Sequence, residues 1–116
     1  MRKILASLIC LFFAFLTYGQ VRIPVDSAAN HIGDSVIVCA EVFGVKTTRT
    51  ITFINVGAAY PNSPLTVVIF AKDLDRFKPS PEALYNGRKS CFRGVIVDFK
   101  GKAEIVVTKP EDITVE

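Results

Sequence analysis

The segment from Arg88 to Val107, RKSCFRGVIVDFKGKAEIVV, constrains the fold more than any other part of the chain. Val95, Ile96 and Val97 crowd one arm and Ile105, Val106 and Val107 the other, with Lys100-Gly101 between them, the pattern of a β-hairpin. Gly101 supplies the positive φ that a tight turn needs, and Pro110 closes off the second arm. The rest of the chain is expected to supply the strands that meet this hairpin.

The first residues read as an export signal. Arg2 and Lys3 precede an uncharged apolar run from Ile4 to Leu16, and small Gly19 stands two places before Val21. The run is short of the roughly 20 apolar residues that span a membrane. Cys10 follows bulky Ile9, where a lipid-attachment motif has a small residue. Residues 1–20 are therefore expected to be a cleaved signal peptide. Residues 21–116 then form a single exported domain, periplasmic or secreted, with no stable membrane span.

Removing the leader changes the charge. Of 14 Lys and Arg, Arg2 and Lys3 leave with it, so 12 basic residues face 11 acidic ones. A protein held mainly by phosphates carries a clearer basic excess. Cys39 and Cys91 remain as an even pair in a disulfide-permissive compartment. With lone His31 and no close Cys/His spacing, no metal and no cofactor are expected.

Along the mature chain, Asp26 is expected to cap one or two helical turns that stop at Gly33, with His31 at their C-terminal end. Ser35 to Val45 reads as the first strand, with Val36, Val38, Ala40 and Val42 inward and Cys39 and Glu41 on the other face. Gly44 lets this long strand bend. Lys46 to Arg49 is a loop, Thr50 to Val56 the second strand, Gly57 to Pro64 a loop carrying exposed Tyr60, and Leu65 to Lys72 the third strand. Asp73 to Gly87 reads as a connector with a short helix near Pro81, followed by the hairpin as strands four and five. The expected fold is all-β: a five-stranded OB-fold Greek-key barrel with a short helical connector between strands 3 and 4. Phe43, Phe77, Tyr85, Phe92 and Phe99 are expected to fill the core or pack the connector.

Three runs carry a family likeness: His31-Ile32-Gly33-Asp34-Ser35-Val36; Thr52-Phe53-Ile54-Asn55-Val56-Gly57 with Tyr60-Pro61; and Asp98 to Ile105 ahead of Pro110 and Ile113. Over residues 28–115 the chain resembles the small secreted bacterial OB-fold proteins, nucleic-acid-binding-like relatives of the anticodon-binding OB domains. The resemblance implies the fold, and a fold does not fix a ligand.

An OB domain that binds an oligomer uses the outer face of strands 2 and 3, flanked by the loops between strands 1 and 2 and between 4 and 5. Those loops offer Lys46 and Arg49, then Lys100 and Lys102, and the face between offers Tyr60 and Phe70, with Lys72 at the end of strand 3. Aromatic faces that stack bases, flanked by cations that track phosphates, suit single-stranded nucleic acid. The alternatives are ordinary solvated lysines with Phe53 and Phe70 packed in the barrel, or a site for an oligosaccharide, a peptide or an envelope protein.

Cys39 and Cys91 share strand faces with Glu41 and Arg93, so both thiols point outward. In one register Cys39 faces Cys91 and Glu41 faces Lys89, giving a disulfide. In another Glu41 faces Arg93, and the sulfurs lie beyond reach, because bridged Cα atoms lie within roughly 7 Å. No CxxC motif is present. Asp73-Leu74-Asp75 falls short of a calcium site, and Ser27 and Ser35 near His31 lack a third member, so no enzymatic activity is expected.

Overall fold

Apolar side chains recur at every second position through the long strands, the period that buries one face of a sheet. The computed structural model describes residues 20–116, so the expected leader, Gln20 apart, and Cys10 lie outside the described residues. Its strands are β1 (Val21–Ile23), β2 (Ser35–Thr47), β3 (Ile51–Val56), β4 (Leu65–Phe70), β5 (Lys89–Phe99), β6 (Lys102–Val106) and β7 (Ile113–Val115). Strands β2 to β6 are the five expected from sequence. Their pairings close on themselves: β2 with β3, β3 with β4, β4 with β6, β6 with β5, and β5 back to β2. Only β4 and β6 run parallel within this circuit.

The expected count of five strands is corrected to seven. β1 adds in parallel to β2, and β7 adds antiparallel to β5. Each is three residues long, too short for an alternating pattern to register in sequence.

The interior is mainly aliphatic, with Phe92, Phe77 and Tyr85 as its aromatic members. Val36, Val38 and Val42 from β2 meet Ile54 and Val56 from β3, Leu65, Val67 and Ile69 from β4, and Phe92, Ile96 and Ile105 from the hairpin. Ala28, in a 3₁₀ segment spanning Val25–His31, is fully buried against this core. Pro24, not Asp26, precedes that segment, and Ser27 Oγ donates to the Pro24 carbonyl at 2.9 Å. The connector holds two short helices, α1 (Ala71–Leu74) and α2 (Pro81–Tyr85), where one was expected. Pro81 stands in the first turn of α2, and the Ser80 hydroxyl accepts from the Ala83 N–H at 3.4 Å. Phe77 and Tyr85 pack edge to face with centroids 6.4 Å apart, and burial pushes the Tyr85 hydroxyl pKa up.

Three placements differ from expectation. Phe43 and Phe99 are not core residues: they are 47% and 53% exposed. Phe99 ends β5 on its outer face opposite Lys102, and Phe43 sits in an irregular stretch of β2. Lys72 does not end the third strand, because the backbone turns into α1 after Phe70.

That irregularity is a β-bulge. Val42 pairs with Val56 but Val45 pairs with Ile54, so β2 carries one residue more than β3 opposite it. Gly44 takes a φ of 148° there. Before the bulge the even-numbered residues Val36, Val38 and Val42 face inward. After it Val45 packs against the core and Lys46 is exposed.

The β2–β5 ladder runs in one register from Ser35↔Val95 to Glu41↔Lys89, with Cys39 directly opposite Cys91. The two form a disulfide across 52 residues of sequence. Where β5 crosses the core its residue is Gly94, because a Cβ there would lie 2.6 Å from Ile105 Cγ2. Gly94→Ala is expected to destabilise the fold by about 1–3 kcal/mol through overpacking, and to do so non-additively with Ile105→Ala, as measured by urea denaturation. Replacing both Cys39 and Cys91 by Ser is expected to lower stability by about 2–4 kcal/mol with the β-sheet far-UV spectrum retained, since the bridge constrains the unfolded chain.

Candidate ligand-binding cleft

Because Ile54, Val56, Val67 and Ile105 point inward, the residues between them are turned out. Strand pairing then sorts this outer face into transverse rows. One row runs Lys46, Phe53, Val68, Val106 across β2, β3, β4 and β6. The next runs Asn55, Thr66, Glu104, Val97 across β3, β4, β6 and β5. Beyond it, Lys102 of β6 pairs with Phe99 of β5.

Lys46, Phe53, Asn55, Thr66 and Glu104 of these rows form the floor of a cleft of about 510 Å³. Tyr60, Pro61 and Ser63 of the β3–β4 loop wall one side, and Phe99, Lys100 and Lys102 the other. Lys100 and Gly101 both have positive φ, 52° and 83°, as a type I′ hairpin turn requires. The turn sets Lys100 Nζ 5.4 Å from the Phe99 ring centroid. The Lys102 ammonium donates to the Pro61 carbonyl at 3.2 Å, tying the two walls together. Tyr60 is 79% exposed, so its ring stands free for a ligand.

Of the residues singled out in the sequence, the cleft brings together Lys46, Tyr60, Lys100 and Lys102. Arg49, Phe70 and Lys72 do not line it. Phe70 pairs with Ile51 at the opposite end of the β3–β4 face, where it is 40% exposed, with Arg49 in the adjoining turn. Sequence reasoning weighed Phe53 only as barrel packing and assigned Phe99 to the core or the connector, and it did not single out Asn55, Thr66 or Glu104 as site residues. Strict alternation outward from Ile54 and Ile105 was the signal that places Phe53, Asn55 and Glu104. Partial burial raises the Glu104 carboxyl pKa above its ordinary range. Cys39, Cys91 and Glu116 converge within 4.8 Å elsewhere on the surface, but there the two sulfurs are bonded to each other.

No family model matches the chain, and no curated protein does. Solved structures do. OBody AM1L10, in its complex with hen egg-white lysozyme, superposes with a TM-score of 0.63 at 17% identity over 86% of this chain and 97% of its own. OBody AM2EP06, also bound to hen egg-white lysozyme, gives 0.57 at 13% identity over 85% and 95%. A Leishmania major Friedlin protein described as an aspartyl-tRNA synthetase gives 0.53 at 12% identity over 85% of this chain. The chain spans only 21% of that protein's length. These likenesses establish an OB-like fold.

The raised Glu104 pKa has a sign that can be checked. The folded protein holds this proton more tightly than the unfolded chain, so the group's contribution to stability is best in acid and falls as pH rises through the raised value. Glu104→Gln is therefore expected to melt at or slightly above wild type at pH 7, with the difference vanishing below the ordinary carboxylate range, as read by thermal denaturation at several pH values.

Proposed function

We propose that the protein is an exported, non-enzymatic binding module that takes single-stranded nucleic acid in this cleft. The observation that carries the reading is the convergence of three aromatic rings, Phe53, Tyr60 and Phe99, with three lysines, Lys46, Lys100 and Lys102, on one face. Rings of this kind stack any base, and the ammonium groups stand where a phosphate backbone would pass. The near-neutral total charge does not oppose this, because positive charge is concentrated locally: three lysines against one carboxylate line the cleft. An oligomer longer than the cleft would continue down β3 and β4 toward Phe70 and Arg49. Export is supported by the leader pattern in the sequence and by the Cys39–Cys91 disulfide, which suits an oxidising compartment. No helix among the described residues is long and apolar enough to cross a membrane.

A second reading, an oligosaccharide or an envelope protein on the same face, draws its support from the balance of 12 basic and 11 acidic residues after the leader. Salt dependence separates the two. Titration of residues 21–116 into a labelled ten-nucleotide single strand, followed by fluorescence anisotropy, is expected to show binding that weakens as salt rises. Lys46→Ala, Lys100→Ala and Lys102→Ala should each weaken binding and flatten its dependence on log salt by about 0.7, the value for one released phosphate contact on a single strand. Tyr60→Ala should cost about 1–3 kcal/mol of binding. Lys72→Ala should change little. Absence of binding at low salt rejects the nucleic-acid reading.

A further inference from the structure

The polar row on the cleft floor is not explained by phosphate tracking. Asn55, Thr66 and Glu104 are each half-buried, and they are direct neighbours across β3, β4 and β6. Among the described residues none of the three side chains makes a hydrogen bond or ion pair. This holds although Lys46, Lys100 and Lys102 line the same cleft. Polar groups drawn partly out of water without protein partners are costly, and here they lie between Phe53 on one side and Phe99 on the other. A carboxylate amid the lysines also subtracts from affinity for a polyanion. Such a row suits a planar ligand that stacks on the aromatics and presents its polar edge to the floor.

We propose that Asn55, Thr66 and Glu104 read the edge of a nucleobase, and that Glu104 selects bases carrying an exocyclic amino group over thymine or uracil. The inference rests on the nucleic-acid reading given above. Glu104 is acceptor-only when ionised, so it pairs with an amino donor and opposes a carbonyl. Cytosine and thymine make the clean comparison. Their rings are of one size and stack alike, but cytosine places an amino group where thymine places a carbonyl oxygen. With cytosine bound, Glu104 accepts from the amino group, while the Thr66 hydroxyl and the Asn55 amide supply donors for the ring nitrogen and carbonyl. With thymine bound, the carboxylate faces an acceptor and both are left unpaired.

The test is anisotropy with labelled dC and dT ten-mers at pH 7.5 and one low salt concentration, using residues 21–116, which hold the entire described fold. Wild type is expected to bind the dC strand about fivefold to tenfold more tightly than the dT strand. Glu104→Gln, whose amide can both accept and donate, should bring that ratio close to one. Lys46→Ala should weaken both strands and leave the ratio unchanged. Equal binding of the two strands by wild type, or a ratio unmoved in Glu104→Gln, overturns base selection while the nucleic-acid reading stands. Failure of wild type to bind either strand removes both. The thermal melts of Glu104→Gln described above show whether the variant is folded.

Discussion

The pairing of β2 with β5 is the constraint on which the rest of the molecule depends. Each of these strands belongs to both halves of the sheet: β2 also pairs with β1 and β3, and β5 with β6 and β7. Without their shared ladder the circuit opens, and two long strands are left with unpaired edges. The ladder is also the strand pairing of greatest sequence separation, so its loop-closure entropy is the largest among the pairings. The Cys39–Cys91 bond lies within it and spans 52 residues. By shortening the free loop of the unfolded chain, it offsets part of the cost of the pairing that sequence proximity helps least. In the same register Glu41 stands opposite Lys89, whose ammonium pairs with Glu116 of the neighbouring C-terminal segment at 3.5 Å.

A closed circuit with a mainly aliphatic interior leaves the outer face free to carry chemistry. Val68 illustrates the arrangement, since it lies on the outer face between Phe53 and Val106 yet is buried. The walls are loops, but they are loops under restraint. One is a two-residue turn with both φ values fixed, and the other is held to it by the Lys102 to Pro61 bond. Binding a ligand between them therefore orders little backbone, and more of the interaction energy remains as affinity. Residues at the far end of the face, Arg49 and Phe70, have no such framing.

Much of this was legible in the amino-acid order. Long β-branched runs separated by turn residues gave all five circuit strands, because burial of one face imposes a period that survives in the sequence. The half-buried cysteines were placed on one face by Glu41 and Arg93, and the disulfide-forming register is the one observed, with Glu41 opposite Lys89. The exposure of Tyr60 followed from the Pro and Gly around it. What sequence did not reveal has physical causes. β1 and β7 are too short to show a period. Phe43 and Phe99 are aromatic, and hydrophobicity alone assigns them inward, whereas strand phase decides otherwise. Lys72 and Phe70 depended on where a strand gives way to a helix, a boundary that local composition marks poorly. Asn55, Thr66 and Glu104 come together only through the pairing of three strands, one of them parallel, which no local pattern encodes.

The bulge at Phe43 and Gly44 has a consequence for how such a surface changes over time. Before it, inward residues of β2 are even-numbered; after it, Val45 is the one packed on the core and Lys46 lines the cleft. The extra residue is what lets Val42 and Val45, three positions apart, share the inner face. Removing one residue there would restore a regular ladder, with Val45 still opposite Ile54 and packed inward and Lys46 still opposite Phe53. In a lineage built on this fold, loss of a single codon at this point would be absorbed by the bulge, and the cleft would keep its lining.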